Sequence, residues 1–269
     1  MDMNININIK KIAVSFIKYA AAIAFWIAVW CVISYRINSE LLFPSPLAVI
    51  KALGELVCTK NFWITAAYSL LRVIAGILIS LAIGTALAVL TERVGALRLI
   101  LSPAVNIIKA TPVASFIILA LLWVDRSSLP ILITALIVVP IVWSNVSEGI
   151  RSVDKNLVEV TKVYNFSIFK RITKLYVPSV APFFIAACRS SLGMAWKAGI
   201  SAEVLATPEN AIGRELYFSK TYLETPSLFA WTLVVIILSI IIEKLFIALL
   251  SKATGKINVT SKGEKNDQA

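Results

Sequence analysis

Apolar stretches of about 20 residues, the length that carries a helix across roughly 30 Å of hydrocarbon, recur along this 269-residue chain. Six can be drawn: Ile12 to Tyr35, Leu70 to Leu90, Val105 to Val124, Ile131 to Glu148, Pro182 to Leu205 and Leu228 to Leu250. Each must be helical, because a lone strand in lipid leaves its backbone N–H and C=O groups without partners. The expected fold is an all-α integral membrane protein with six transmembrane helices. Pro103 and Pro112 interrupt the start of the third stretch, and Pro140 lies in the fourth. Composition agrees, since 59 % hydrophobic residues exceeds the roughly half-apolar make-up of soluble domains.

The net charge of +11 resembles a nucleic-acid footprint only in its size. Lys and Arg gather between the apolar runs, and no basic patch interleaved with aromatics forms a soluble module, so nucleic acid is excluded as a partner. The distribution instead orients the chain. With the N-terminus inside, the cytoplasmic segments hold fourteen Lys and Arg and the external ones six, which puts both termini in the cytoplasm. Cys31 and Cys188 lie inside apolar runs and Cys58 has no partner at metal or disulfide spacing; all three read as packing residues. With no His in the chain, the commonest zinc ligand and neutral-pH proton relay are missing, and no metal site is expected.

The polar start MDMNININIKK leads into an apolar run of about 24 residues, longer than a signal-peptide core, so the first span is expected to be retained. Two external connections look structured: FPSP followed by the amphipathic LAVIKALGELV, and AIGRELYFSK. Residues 255–269 are polar and expected to be disordered. One transmembrane domain is expected over 1–269, with the first span at 12–35, the remaining spans over 70–250 and a cytoplasmic loop at 151–180.

Within the second span Gly76, Ser80, Gly84 and Ala88 recur every four residues, baring one helical face for close approach of another helix. Packing within the chain is the first reading and a subunit interface the second. The fifth span carries Arg189, Lys197 and Glu203, ionisable groups that are costly at membrane depth unless paired or facing water. At 100° per residue Arg189, Trp196 and Glu203 fall within about 40° of one another along about 21 Å, and Lys197 points about 80° from Arg189. Arg189 and Glu203 can therefore line one face, either paired with other helices or touching a substrate, and Lys197 serves a neighbouring one.

Between the fourth and fifth spans lies a polar, basic island, EVTKVYNFSIFKRITKLYVP, from Glu159 to Pro178. It resembles the cytoplasmic coupling motif of bacterial ABC importer permeases, E-A-A-x-x-x-G-x9-I-x-L-P. Glu159, Val160 and Thr161 stand for E-A-A, Asn165 for the Gly, and Leu175, Val177 and Pro178 complete the ending. Asn tolerates the left-handed turn for which Gly is usual. A helix, a sharp turn and a second short helix ended by Pro are expected, whereas the plain alternative is a basic helix resting on anionic lipid.

The resemblance extends from Phe43 to Leu250 through FPSPLAVIKAL, SLLRVIAGILISLAIGTALAVL, KATPVASF, AWKAGISAEVL and AIGREL, and looks like the sulfonate, nitrate and taurine branch. Phe116 and Ile117 depart from the usual Pro-Leu of that branch, and Asp125 stands where Gly is common. It implies the permease of a type I ABC importer in the bacterial cell membrane, a homodimer fed by an extracytoplasmic solute-binding protein. The implied substrate is a small anion or a small nutrient such as a vitamin precursor. No G-x-x-x-x-G-K-[ST] loop is present, so ATP and Mg belong to a partner ABC ATPase dimer and this chain carries no cofactor and no catalytic residue. Glu159 would anchor that ATPase, with Val160, Thr161, Asn165, Phe166, Phe169, Lys170 and Pro178 completing the coupling surface, while Arg189, Trp196, Lys197 and Glu203 would mark the translocation pathway. An ion-coupled secondary transporter is the rival; it would call for buried acids or His and a repeat, whereas the chain has few acids in its apolar runs, no His and no evident repeat.

Overall fold

A computed structural model describes residues 2–253, with side-chain environments from 20 to 248. The expected disordered tail at 255–269 lies outside the described residues. Eleven α-helices follow in order: α1 (Asp2–Ile37), α2 (Pro46–Val57), α3 (Lys60–Arg93), α4 (Gly95–Ala110), α5 (Val113–Ala120), α6 (Leu129–Arg151), α7 (Lys155–Val163), α8 (Ile168–Arg171), α9 (Val177–Ala206), α10 (Ile212–Thr221) and α11 (Thr225–Ala253). A π turn (Ile172–Tyr176) joins α8 to α9, and no strand occurs among the described residues. Five stretches are long and apolar enough to cross a membrane: Ala20–Ile37, Lys60–Arg93, Leu129–Arg151, Ile168–Ala206 and Thr225–Ala248.

The sixth is where sequence and structure differ. Residues 105–124 are not one continuous helix: α4 and α5 meet at an angle of 104°, and only the bent pair together reaches crossing length. The cause is local. The ring of Pro112 drives the residue before it out of the helical region, and Thr111 is extended at φ −84° and ψ 134°. Thr111 N–H still closes α4 on Ile107 O at 3.0 Å, after which the chain turns. Beyond α5, the side chain of Ser128 and the backbone N–H groups of Ser127 and Ser128 bond the exposed Asp125 carboxyl and hold it below its ordinary range, fixing the turn into α6.

The contacts divide into two units, Met1–Thr65 with Glu215–Val234, and Ala66–Arg214 with Val235–Ala269. The first is held by aromatic packing. Trp30 meets Phe229 at 5.8 Å, Phe43 meets Phe229 at 5.5 Å, and Phe62 stacks on Trp231 at 5.2 Å. Trp30 Nε1 also donates to Pro44 O at 3.0 Å, and the Thr225 hydroxyl donates to Leu41 O. The helices expected in the two structured connections are both present: Pro46 opens α2, capped by Ser45 Oγ accepting from Ala48 N–H at 3.2 Å, and IGRELYFSKT forms α10.

The second unit is built on bare glycine contacts. A Cβ on Gly76 would lie 2.8 Å from Thr134 Cβ, and one on Gly84 would lie 2.7 Å from Val142 Cβ, so the small face of α3 receives α6. The stripe thus serves packing within the chain. Gly199 of α9 meets Val73 of α3 in the same way at 2.6 Å, and Gly149 of α6 meets Phe183 of α9 at 3.0 Å. Buried Trp143 of α6 adds a polar tie, donating from Nε1 to Thr91 Oγ1 of α3 at 2.9 Å. α3, α6 and α9 form one tightly fitted block. Gly84→Ala should cost on the order of 1–3 kcal/mol as an overpacked core does, lowering the melting temperature in detergent. Gly54→Ala, whose new methyl meets nothing within 4 Å, serves as control, and equal melting of the two would contradict the close-packed reading.

Candidate functional site

The island is α7, a turn, α8 and the π turn. Asp154 caps α7, its carboxylate accepting from Asn156 N–H at 2.8 Å. α7 ends because Asn165 takes the left-handed conformation, φ 48°. Phe166 N–H then reaches back to Thr161 O at 2.9 Å and Asn165 N–H to Lys162 O at 3.0 Å, the paired bonds that close a helix through a left-handed residue. Asn165 does the work expected of it. Ser167 starts the next turn by accepting from Lys170 N–H at 3.3 Å, and Lys170 Nζ lies 4.2 Å from the centre of the Phe166 ring.

Pro178 behaves differently from expectation. It does not end the second short helix, because the chain runs on without a break from Ile168 to Ala206. Pro178 has no N–H for the carbonyl one turn earlier, and its ring crowds that carbonyl; the preceding turn widens, with Val177 N–H bonding Ile172 O five residues back. The island is therefore a rigid extension of α9.

Its outward surface is apolar and aromatic. Val160, Val163, Tyr164, Ile168 and Phe169 all stand exposed, Phe169 at 77 %. Exposed Glu159 makes no hydrogen bond or ion pair among the described residues, and Asn165 and Lys170 are exposed beside it. Thr161 points the other way. It is buried, its hydroxyl donating to Val158 O at 2.7 Å, so it seats α7 on the rest of the chain and offers no outward contact.

On α9 the four expected pathway residues separate. Arg189 and Lys197 are exposed, with no hydrogen bond or ion pair among the described residues. Trp196 is buried and donates from Nε1 to Val235 O at 3.0 Å, while Glu203 is fully buried. Arg189 and Glu203 therefore do not line one face, and Trp196 lines none. Equal helical angle did not bring equal surroundings, because the neighbours of α9 change along its length. The exposed stripe instead runs through Ser190, Met194, Lys197 and Ser201, which fall within about 60° of each other, and Arg189, about 80° from Lys197, lies off it. A polar stripe on a crossing helix faces water or protein rather than lipid.

Glu203 belongs to a network anchored by Arg72, a residue the sequence reading passed over. Ser69 Oγ donates to Glu203 Oε2 at 2.7 Å and accepts from Ile212 N–H at 2.9 Å. Gly213 N–H donates to the same carboxylate oxygen at 3.2 Å. Arg72 Nη1 lies 3.4 Å from Glu203 Oε1 and donates to Asn210 O at 3.0 Å; its Nη2 donates to Glu209 O at 2.8 Å. These bonds hold a strained connection, since Thr207 and Asn210 both adopt positive φ, 47° and 48°, and a β-branched residue such as Thr207 rarely does. The available signal was a lone Arg inside an apolar run, which demands a buried acceptor. Among the described residues no group of three or more His, Cys, Asp and Glu could hold a metal ion.

Residues 76–255 match the family described as binding-protein-dependent transport system inner membrane component, a stretch that takes in α3 from Gly76, the island and all of α9. The chain belongs to that family. SsuC of Bacillus subtilis, whose name describes an aliphatic sulfonates transport permease, is 27 % identical over 206 residues, 76 % of this chain and 74 % of that one. The taurine transport system permease TauC of Escherichia coli is 21 % identical over 241 residues, 87 % of this chain and 86 % of that one. The bicarbonate transport system permease CmpB of Synechococcus elongatus is 27 % identical over 155 residues, 56 % of this chain and 55 % of that one. In fold, a chain of a bacterial alginate ABC transporter, solved in complex with an alginate pentasaccharide-bound periplasmic protein, is similar with a TM-score of 0.60 and 16 % identity, covering 92 % of this chain and 98 % of that one. The permease is thus a transport subunit of an ABC importer and not an enzyme.

In the permease, Arg72→Met would leave the Glu203 carboxylate buried without its cation, a loss of about 3–5 kcal/mol. Adding Glu203→Gln removes the orphaned charge, so the double variant should melt higher than Arg72→Met alone. A double variant that melts lower, by the sum of the two singles, would show that the pair is not coupled.

Proposed function

We propose that the permease works as a homodimer in the inner membrane, with both termini cytoplasmic, and that its island docks an ABC ATPase dimer that binds ATP and Mg. An extracytoplasmic binding protein would deliver the solute. The observation that carries this reading is the island itself: a left-handed turn at Asn165 links the exposed Glu159 of α7, unpaired among the described residues, to exposed Ile168 and Phe169 on a segment continuous with α9. Exposed aromatics on a stiff support are what a partner's pocket grips. The charge bias of the short loops supports the orientation.

The solute is a small anion, carried along the stripe of α9 that holds Lys197. An exposed cation at membrane depth with no partner among the described residues favours a negative ligand, and two copies across a dimer axis would double the local charge. The relatives named for aliphatic sulfonates, taurine and bicarbonate point to the same chemistry.

Glu159→Lys and Phe169→Ala should leave the permease folded and cut recovery of the copurifying ATPase by about tenfold or more, the scale of an interface anchor. Full recovery from both variants would sink the docking assignment. Lys197→Met should lower uptake of taurine and short alkanesulfonates with assembly intact, and Lys197→Arg should retain it. Normal uptake by well-assembled Lys197→Met would remove Lys197 from the pathway.

A further inference from the structure

α4 is held differently from α6 and α9. α6 buries eleven of its residues and α9 twelve, whereas α4 buries Val105 alone. Leu99, Ile100 and Ile107 stand out from it, Leu99 at 79 % exposure. The ties that fasten α4 are polar and sit near its two ends. Near its start, Arg98 Nη1 donates to Glu92 Oε1 at 2.6 Å, and the same oxygen takes Arg151 Nε at 3.4 Å. Near its end, Lys109 Nζ donates to Ser144 Oγ of α6 at 2.9 Å.

Glu92 occupies a junction. It follows Thr91, the α3 residue bonded to Trp143 of α6, and Arg151 is the last residue of α6 before the chain passes into α7. α4, on the other side of the junction, leads to the bend at Thr111 and Pro112.

We propose that Glu92 is a positioning residue of the transport cycle: through Arg98 it links α4 to the α3, α6 and α9 block that carries the island, so that a push on the island reaches the α4–α5 bend. This rests on the reading of the island as the ATPase dock. With a single buried residue, α4 has little packing to resist displacement; the ion pair sets the direction in which its first turns leave α3, and Lys109 on Ser144 holds its far end. A charge-assisted bond is short and directional, so it transmits a push along one line where apolar side chains would slide. The shared oxygen makes the joint reversible. If Arg98 swings away, Arg151 remains beside the carboxylate and no bare charge is left behind.

A bimane fluorophore on Leu99→Cys, with Cys31, Cys58 and Cys188 replaced, reports the surroundings of α4 in the permease–ATPase complex reconstituted in liposomes. With Glu92 and Arg98 intact, ATP with vanadate should change its emission. Glu92→Gln and Arg98→Gln should each reduce that change about fivefold or more, the lower end of ordinary coupling between sites. The double variant should be no worse than either single, because both remove one contact, and ATPase recovery should be unchanged throughout. A full-size change in either variant would overturn the proposal, as would loss of the ATPase from either or no change with the link intact. Failure of the docking reading looks different: the ATPase then stays on Glu159→Lys and Phe169→Ala, or never copurifies with the natural chain, which overturns both.

Discussion

The contact on which the rest depends is backbone against side chain, at four glycines. Gly76 and Gly84 let α6 settle onto α3, Gly199 brings α9 onto Val73, and Gly149 accepts the ring of Phe183. Between membrane helices there is little hydrophobic drive, because lipid is as apolar as Leu, and close approach with its dispersion gain takes that place. Once α6 and α9 are locked together, the island between them is held at both ends. Its own geometry is then local: the Asp154 cap, the Asn165 turn and the Ser167 cap each close a backbone group that would otherwise be open.

The polar groups in the block divide by what they face. Arg72, Ser69 and Glu203 are turned inward and bond backbone groups of the connection from α9 to α10, which keeps a strained turn in place. Arg189 and Lys197 are turned outward, without partners among the described residues. A buried charge that is paired stabilises the fold it sits in, and an unpaired one on a polar stripe invites a ligand. The same helix therefore serves as scaffold on one side and, in the function proposed above, as pathway on the other.

Much of this was legible in the residues. Five spans, both connecting helices, the small-residue packing face and the turn at Asn165 follow from rules of a few residues' range. What escaped depended on neighbours that the chain supplies from far away. Trp196 and Glu203 share a helical angle with Arg189, yet α11 and α3 cover the first two. Thr161 lies in the same motif as Glu159 and faces inward, a direction that the spacing of letters does not encode. Pro112 and Pro178 were both visible as breaks, but one bends its helix pair by 104° while the other is absorbed in a π turn. The difference lies in how the preceding turn can satisfy its carbonyls, and α4 and α9 offer different surroundings for that.

The central claim is that α6 and α9 move as one body with the island, and a covalent lock tests it. A Cβ on Gly149 would lie 3.0 Å from that of Phe183, close to the roughly 3.5–4.5 Å that a disulfide spans. Gly149→Cys with Phe183→Cys, in a chain otherwise free of cysteine, can be oxidised in the reconstituted complex and assayed for ATP-driven uptake of taurine and short alkanesulfonates. If the two helices keep their spacing through the cycle, the oxidised protein will transport as fast as the reduced one. Transport that stops on oxidation and returns on reduction would show that the helices part during the cycle, and would contradict the account.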